Sequence, residues 1–371
     1  MNIPRFELER WMHHYEADPP RHDLSGSTGP YWTVAEILDL DPGARETALA
    51  APVIYAPTNG SEALRQEVAA HIGAAADDVL ITTGASEALS ILVAAHARPG
   101  ANVVLPDPGY PPFAHLADVF RIEPRPYRLS RETQFRLDPE RIADLMDHDT
   151  VLVIVNSPHN PSGDCASRDE ILALQAAAAS HGATLVVDQV FHPIYHRAEP
   201  LRADDLEGAV VIGDMSKALS LAGLRIGWIT DRDAKRRQAY FDLRGFFTLS
   251  GLPLAEHLAT VALRHSDRIV ERAQGVASEN LRALEGVLEG HADKIDFVPI
   301  RGGLTVFPWF RQAIDTRPFC RNLAEAGVLA APGDCFGRPD HFRLGVGAPS
   351  AADYQEAMQV LDGALEQWHP A

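Results

Sequence analysis

Between residues 61 and 230 the chain alternates short apolar runs with stretches whose apolar residues recur at helical spacing. Val79-Leu80-Ile81-Thr82-Thr83, Val103-Val104-Leu105, Val151-Leu152-Val153-Ile154-Val155, Thr184-Leu185-Val186-Val187 and Val210-Val211-Ile212 are uninterrupted and rich in branched residues, which predicts strands buried on both faces. The intervening segments predict helices: one opening at Ser61 as N-cap, one over 86–96 and one over 168–180. Strands alternating with helices imply an α/β unit, a largely parallel sheet covered on both faces. After residue 250 the pattern changes to a long helical stretch over 254–289. Strands at 303–307 and 342–345 follow, with helices over 317–326 and 351–368. The resulting expectation is a large domain over 46–255 and a smaller α+β domain over 256–371, onto which residues 1–45 fold back.

Length and charge narrow the functional classes. A chain of 371 residues with 46% hydrophobic content buries a substantial core. With 51 acidic against 33 basic side chains, the formal net charge is −18, which argues against nucleic acid or an anionic membrane as a main partner. No apolar run approaches the ~20 residues of a membrane-spanning helix. Cys165, Cys320 and Cys335 show neither metal-ligand spacing nor a disulfide framework, so the expected setting is reducing and cytoplasmic.

Chemistry concentrates where predicted strands end, the edge of a parallel sheet at which ligands bind. The chain has three lysines, and Lys235 and Lys294 lie in charged or polar surroundings. Lys217 instead follows the apolar run 210–213, within Asp214-Met215-Ser216-Lys217-Ala218-Leu219-Ser220. A lysine there is either a Schiff-base nucleophile with a lowered pKa or a side chain snorkelling from a strand end. Asp188 closes the strand 29 residues earlier, where a buried carboxylate needs a cation or a donor. Gly84-Ala85-Ser86 joins a strand to a helix N-terminus, an anion cradle or an ordinary turn. Asn160 sits in the irregular turn Asn156-Ser157-Pro158-His159-Asn160-Pro161-Ser162-Gly163, and Arg225 follows Lys217 by eight residues, flanked by apolar neighbours. A buried acid, an amine, an asparagine, an arginine and a helix N-terminus together meet the needs of pyridoxal phosphate.

At these residues the chain resembles the fold-type-I pyridoxal-phosphate enzymes, specifically the class I and II aminotransferases. Ser216-Lys217 through Arg225-Ile226-Gly227-Trp228 carries the most specific part of the likeness, and 156–163 resembles the family's Asn-Pro-x-Asn-Pro-Thr-Gly. The resemblance implies an aspartate aminotransferase-like fold with a mostly parallel seven-stranded sheet and a smaller α+β domain, and pyridoxal 5'-phosphate as cofactor. It also implies a homodimer that acts on an amino acid and a 2-oxo acid. By the same resemblance Lys217 carries the Schiff base, Asp188 pairs with the pyridine nitrogen and Asn160 contacts the phenolic oxygen. Gly84, Ala85, Ser86 and Arg225 bind phosphate, Tyr110 stacks on the ring, and Tyr55 reaches the phosphate across the dimer interface. Arg343, in Phe342-Arg343-Leu344-Gly345, takes the substrate α-carboxylate. The expected reaction is ping-pong transamination, with Lys217 as the base at Cα.

Two positions depart from the family pattern. Phe191 stands where a tyrosine usually donates to the phenolic oxygen, which raises the pKa expected of the Schiff base. Asp214 stands where a phosphate-facing Ser or Thr is usual; a carboxylate there repels phosphate, so Asp214 is expected to point away from the site. His13, His14, His159 and His192 are candidate pocket residues with structural roles as the plainer reading, and Ser25 to Tyr31 is a candidate cover for the substrate. Phe191, the 156–163 turn and Arg301-Gly302-Gly303-Leu304-Thr305-Val306-Phe307-Pro308 also resemble the capreomycidine synthase group, which cyclises a hydroxylated arginine. Elimination with ring closure is therefore the alternative to transamination, ranked below it on sequence.

Overall fold

The structure is a computed structural model and describes residues 3–348 and 350–368. Its main sheet contains β1 (Val79–Thr82), β2 (Asn102–Asp107), β3 (Glu123–Arg128), β4 (Thr150–Asn156), β5 (Thr184–Asp188), β6 (Val210–Asp214) and β7 (Gly227–Thr230). Their spatial order is β1-β7-β6-β5-β4-β2-β3. Every pairing is parallel except those of β7, which runs antiparallel to both β1 and β6. The helices used below are α1 (Glu7–His14), α2 (Gly84–His96), α3 (Arg168–Ser180), α4 (Pro253–Arg264), α5 (Ser266–Gly290) and α6 (Ala351–Gln367).

The five apolar runs become β1, β2, β4, β5 and β6, and every residue of β4 is buried. Helix α3 begins where its capping residues stand: the Ser167 side chain accepts from Glu170 N while Glu170 reaches back to Ser167 N. Ser61 caps the helix Glu62–Ile72 in the same manner at one end of that exchange. Register fixes the functional edge. Asn156 pairs with Asp188, Asp188 with Ile212, and Asp214 with Gly227. Because β7 is reversed, its first residue lies at the edge where β4, β5 and β6 end. Thr82 at the end of β1 pairs with that same Gly227, so the turn into α2 arrives there too.

The C-terminal region carries a three-stranded antiparallel sheet of β8 (Thr305–Val306), β9 (Ala331–Pro332) and β10 (Phe342–Gly345), with β10 in the middle. The N-terminal arm is tied onto it. His22–Asp23 pairs in parallel with Val328–Leu329, Trp11 Nε1 donates to Ala330 O at 2.8 Å, and Gly345 N donates to Leu24 O at 2.7 Å. Further along, the arm rests on α4, where His257 Nε2 lies 2.9 Å from Ala44 O. The stretch expected as one helix over 254–289 is two, divided at His265 into α4 and α5. The strand expected over 303–307 shrinks to Thr305–Val306, since Gly303 at φ +79 leaves extended geometry.

Three histidines that were candidate or unassigned residues are structural. His159 is buried between Ser162 Oγ at 2.8 Å and Pro108 O at 3.1 Å. His192 lies 3.3 Å from Tyr195 Oη, with its ring 6.2 Å from that of buried His71. Burial holds all three below the ordinary imidazole value, to about 4 for His71 and His159 and about 3 for His192. Between those values and the unfolded value near 6.5, the unfolded chain binds more protons than the folded one. Their contribution to stability is therefore complete above pH ~6.5 and is lost as pH falls toward ~4. The expected result is a melting temperature that drops across this window, with His192→Gln flattening the drop; calorimetry at stepped pH measures it.

Candidate active site

A cavity of about 290 Å³ opens at the sheet edge just described. Asp188 reaches it from the end of β5 and Asn160 from the turn after β4. Lys217 reaches it from the loop after β6, and Ala85 and Ser86 from the first turn of α2. Arg225 enters from the residues before reversed β7, and Arg343 from β10 in the C-terminal sheet. Tyr110 forms a wall, its ring 6.0 Å from that of Phe6. Eight of the ten sequence-predicted residues thus line one space. Gly84 lies immediately behind it. A Cβ on this residue, at φ +76, would collide with the Arg225 guanidinium, so the arginine rests directly against the turn. Gly227 is equally constrained, because a Cβ there would meet the backbone of Gly84 and Ala85.

Tyr55 is elsewhere. It is 79% exposed and borders a larger open cleft of about 590 Å³ with Glu256 and His257 of α4, away from Lys217. Within a single chain it takes no part in the cavity.

Arg343 is buried and its contacts define the asparagine. One guanidinium nitrogen donates to Asn160 Oδ1 at 2.9 Å, another donates to Ser25 O, and Nε has no partner. The Phe336 ring lies 4.9 Å beneath the guanidinium. Since arginine only donates, it holds the Asn160 amide with its oxygen toward Arg343 and leaves the NH₂ as the group available to a ligand. Asn156 supports the turn by accepting from Asn160 N at 2.7 Å and donating to Asp188 O at 3.1 Å.

Electrostatics separate the titrating groups. Burial pushes Asp188 up to about 7, with Asp214 adding to the rise while Val190 N–H, 3.0 Å from Oδ1, and Lys217 oppose it. Burial also drives Lys217 below the ordinary lysine value, offset in part by Asp214. Tyr110 is pushed up to about 12, chiefly by burial. The result is an acid poised to take a cation and an amine that sheds its proton more readily than usual.

Asp214 corrects an expectation. It lines the cavity rather than pointing away, and its Oδ1 accepts from Ser216 N at 2.9 Å. The register that pairs it with Gly227 leaves its side chain at the ligand edge. Phe191 lines the wall as an apolar surface, and Gly26, Ser27 and Thr28 form part of the cover expected from 25–31. None of His13, His14, His159 and His192 lines it. Sequence reasoning missed Leu8, Glu9 and Met12 of α1, which close the cavity from above. Their signal was the helical spacing of Leu8, Trp11 and Met12 in an arm read only as a fold-back.

The chain matches the family described as Aminotransferase class I and II over residues 47–361. It belongs to that family. Among curated relatives it is 34% identical to capreomycidine synthase of Streptomyces vinaceus, over 94% of this chain and 90% of the relative. It is 26% identical to tyrosine aminotransferase of Bos taurus, over 85% of this chain and 75% of the relative. Among solved structures it superposes on the PLP-dependent cyclase OrfR with a TM-score of 0.90 at 31% identity, covering 99% and 98% of the two chains. A PLP-dependent aminotransferase from Streptococcus suis matches at TM-score 0.91 and 23% identity over both whole chains, a likeness of fold.

Pyridoxal phosphate is the family's cofactor, and the residues of this aminotransferase-family cavity fit it. Asp188 is a 5%-exposed carboxyl with no cation within ion-pair distance among the described residues, the surroundings a protonated ring nitrogen completes. The turn at Gly84, the free N–H groups of α2's first turn and Arg225 converge on one spot suited to a phosphate dianion. Phe191 offers no hydrogen bond, so Asn160 is the polar group left for the phenolic oxygen.

Proposed function

We propose that this enzyme removes a β-leaving group from an arginine-derived α-amino acid and closes a ring, rather than exchanging an amino group with a 2-oxo acid. The observation that carries this is the similarity to capreomycidine synthase and to the cyclase OrfR, which runs almost end to end in both chains. Bound pyridoxal phosphate supplies an electron sink for charge developing at Cα. Arg343 holds the α-carboxylate, using the Nε left without a partner. Asp188 would keep the ring nitrogen protonated, Asn160 would donate to the phenolic oxygen, and Gly84, Ala85, Ser86 and Arg225 would hold the phosphate. Lys217, once displaced by the substrate amine, takes the proton from Cα. The C–O bond at Cβ then breaks as the departing hydroxyl takes a proton and leaves as water, and a guanidino nitrogen bonds to Cβ while releasing its own N–H proton, which replaces the one the water carried away. Lys217 returns a proton to Cα. The net change is loss of one water.

Transamination is the second reading, favoured by the family description itself. It shares the removal of the Cα proton by Lys217 and parts from cyclisation afterwards: the C–O bond at Cβ stays intact, Lys217 would not return the proton to Cα, and the amino group would pass to a 2-oxo acid. Incubation of β-hydroxyarginine with enzyme alone is expected to give a product one water lighter by mass. No such product, together with consumption of pyruvate or 2-oxoglutarate, overturns the cyclase reading.

The working unit is proposed to be a homodimer in the cytoplasm. Tyr55 extends from a strongly exposed apolar segment with Val53 and Ile54, a surface that a second copy is suited to cover. In that arrangement Tyr55 serves the partner's phosphate site. All three cysteines are free and buried, in keeping with a reducing compartment.

A further inference from the structure

The charges in the cavity do not balance once each has its task. Lys217, Arg225 and Arg343 answer the amine, the phosphate and the α-carboxylate, and among the described residues no further lysine, arginine or histidine lines the space. A substrate with an acidic side chain therefore finds no cation left for it. Of the acids, Asp188 answers the ring nitrogen and Asp214 is turned to the Ser216 amide. One carboxylate remains, that of Glu9.

Glu9 lies on α1 beside Leu8 and one turn before Met12, and these three face the cavity together. The helix is anchored by buried Leu8 and Trp11, the latter through its bond to Ala330 O, so the core sets where α1 presents Glu9, itself an exposed residue at the cavity mouth. Glu9 shares the cavity lining with Lys217, Tyr110 and Arg343, and its charge acts on all three. Among the described residues no cation is within ion-pair distance of it, Arg5 one turn earlier included. An acid in the first turn of a helix is favoured by the dipole in any case. Glu7 supplies that charge as well, yet Glu7 borders a separate groove and not the catalytic cavity.

We infer that Glu9 selects substrates with a cationic side chain by pairing with the guanidinium, positioning it for attack at Cβ. This rests on the arginine-derived substrate proposed above. A guanidinium presents two parallel donors to a carboxylate, so it is preferred over an ammonium and strongly over an uncharged chain of similar length.

The test uses holoenzyme and reads the change in cofactor absorbance as L-arginine, L-norleucine and L-glutamate are titrated in. Wild type is expected to bind arginine more tightly than norleucine by about 10- to 100-fold, the worth of a hydrogen-bonded charge pair. Glu9→Gln is expected to abolish that preference with little change for norleucine, and Glu9→Asp to restore part of it. Glu7→Gln is expected to leave the preference unchanged, which a dipole effect alone does not predict. No arginine preference in wild type, or its survival in Glu9→Gln, overturns the inference. An arginine preference that depends on Glu9, in an enzyme that forms no cyclised product, overturns the cyclisation reading and leaves the role of Glu9 standing.

Discussion

Lys217→Ala is expected to abolish turnover, by about four orders of magnitude or more, since it removes both the covalent anchor and the base at Cα. The structure gives the reason in local terms. Lys217 follows β6 by three residues, so the sheet sets its backbone and the cavity receives its amine. Burial lowers its pKa from the ordinary lysine value, which raises the fraction of neutral, nucleophilic amine near pH 7. Asp214 offsets part of that shift, so removing its charge is expected to lower the Lys217 pKa further. Borohydride reduction of the wild type followed by peptide mass analysis is expected to place the cofactor on the peptide containing Lys217. The same treatment of Lys217→Ala should leave none attached. A variant that retained a reducible adduct and turnover would remove Lys217 from the mechanism.

The sheet core was legible because five of its strands are apolar on both faces, and burial on both faces writes itself as an uninterrupted run. Two strands escaped for opposite reasons. β3, Glu-Pro-Arg-Pro-Tyr-Arg, is an edge strand; only Tyr127 in it is buried, and prolines and charges suit an edge. β7 is four residues long and begins with a glycine, which close approach to the Gly84 turn requires. The break at His265 was also invisible, since both flanking helices carry apolar residues at helical spacing and no proline or glycine marks the join.

Within the site, legibility followed sequence distance from the strands. Asp188, Asn160 and Lys217 sit at strand ends, so their convergence follows from topology alone. Arg225 needed the reversal of β7, which the pattern did not announce. Asp214 was misjudged because its repulsion of phosphate was weighed without its place in the sheet: it ends β6 at the ligand edge, and the Ser216 amide partly answers its charge. Glu9 and Met12 lie far earlier in the chain than the strand-end residues Asn160, Asp188 and Lys217. Tertiary ties such as that of Trp11 to Ala330 bring them over the cavity.

Asp188→Asn is the second large expected effect. The substitution keeps the shape and removes the charge from a carboxyl that closes β5, buried at 5% exposure. Without an anion there the ring nitrogen loses its proton partner, and kcat is expected to fall about 10²- to 10³-fold, the usual loss when one electrostatic stabiliser is removed. A pH dependence separates this role from a packing role. In the cofactor-free protein burial pushes the Asp188 carboxyl up to about 7, against an unfolded value near 4. Between those two values the folded state holds more protons than the unfolded state. The contribution of Asp188 is thus full below pH ~4 and is lost as pH rises toward ~7. A protonated ring nitrogen beside the carboxylate cancels that loss. The gain in melting temperature on adding pyridoxal phosphate is therefore expected to grow from pH 4 to 7 in the wild type. In Asp188→Asn, which has no proton to lose in this window, the gain should be smaller and nearly flat. Calorimetry of both proteins with and without cofactor measures it. A variant with wild-type turnover and a wild-type slope would mean that the buried acid does not serve the cofactor.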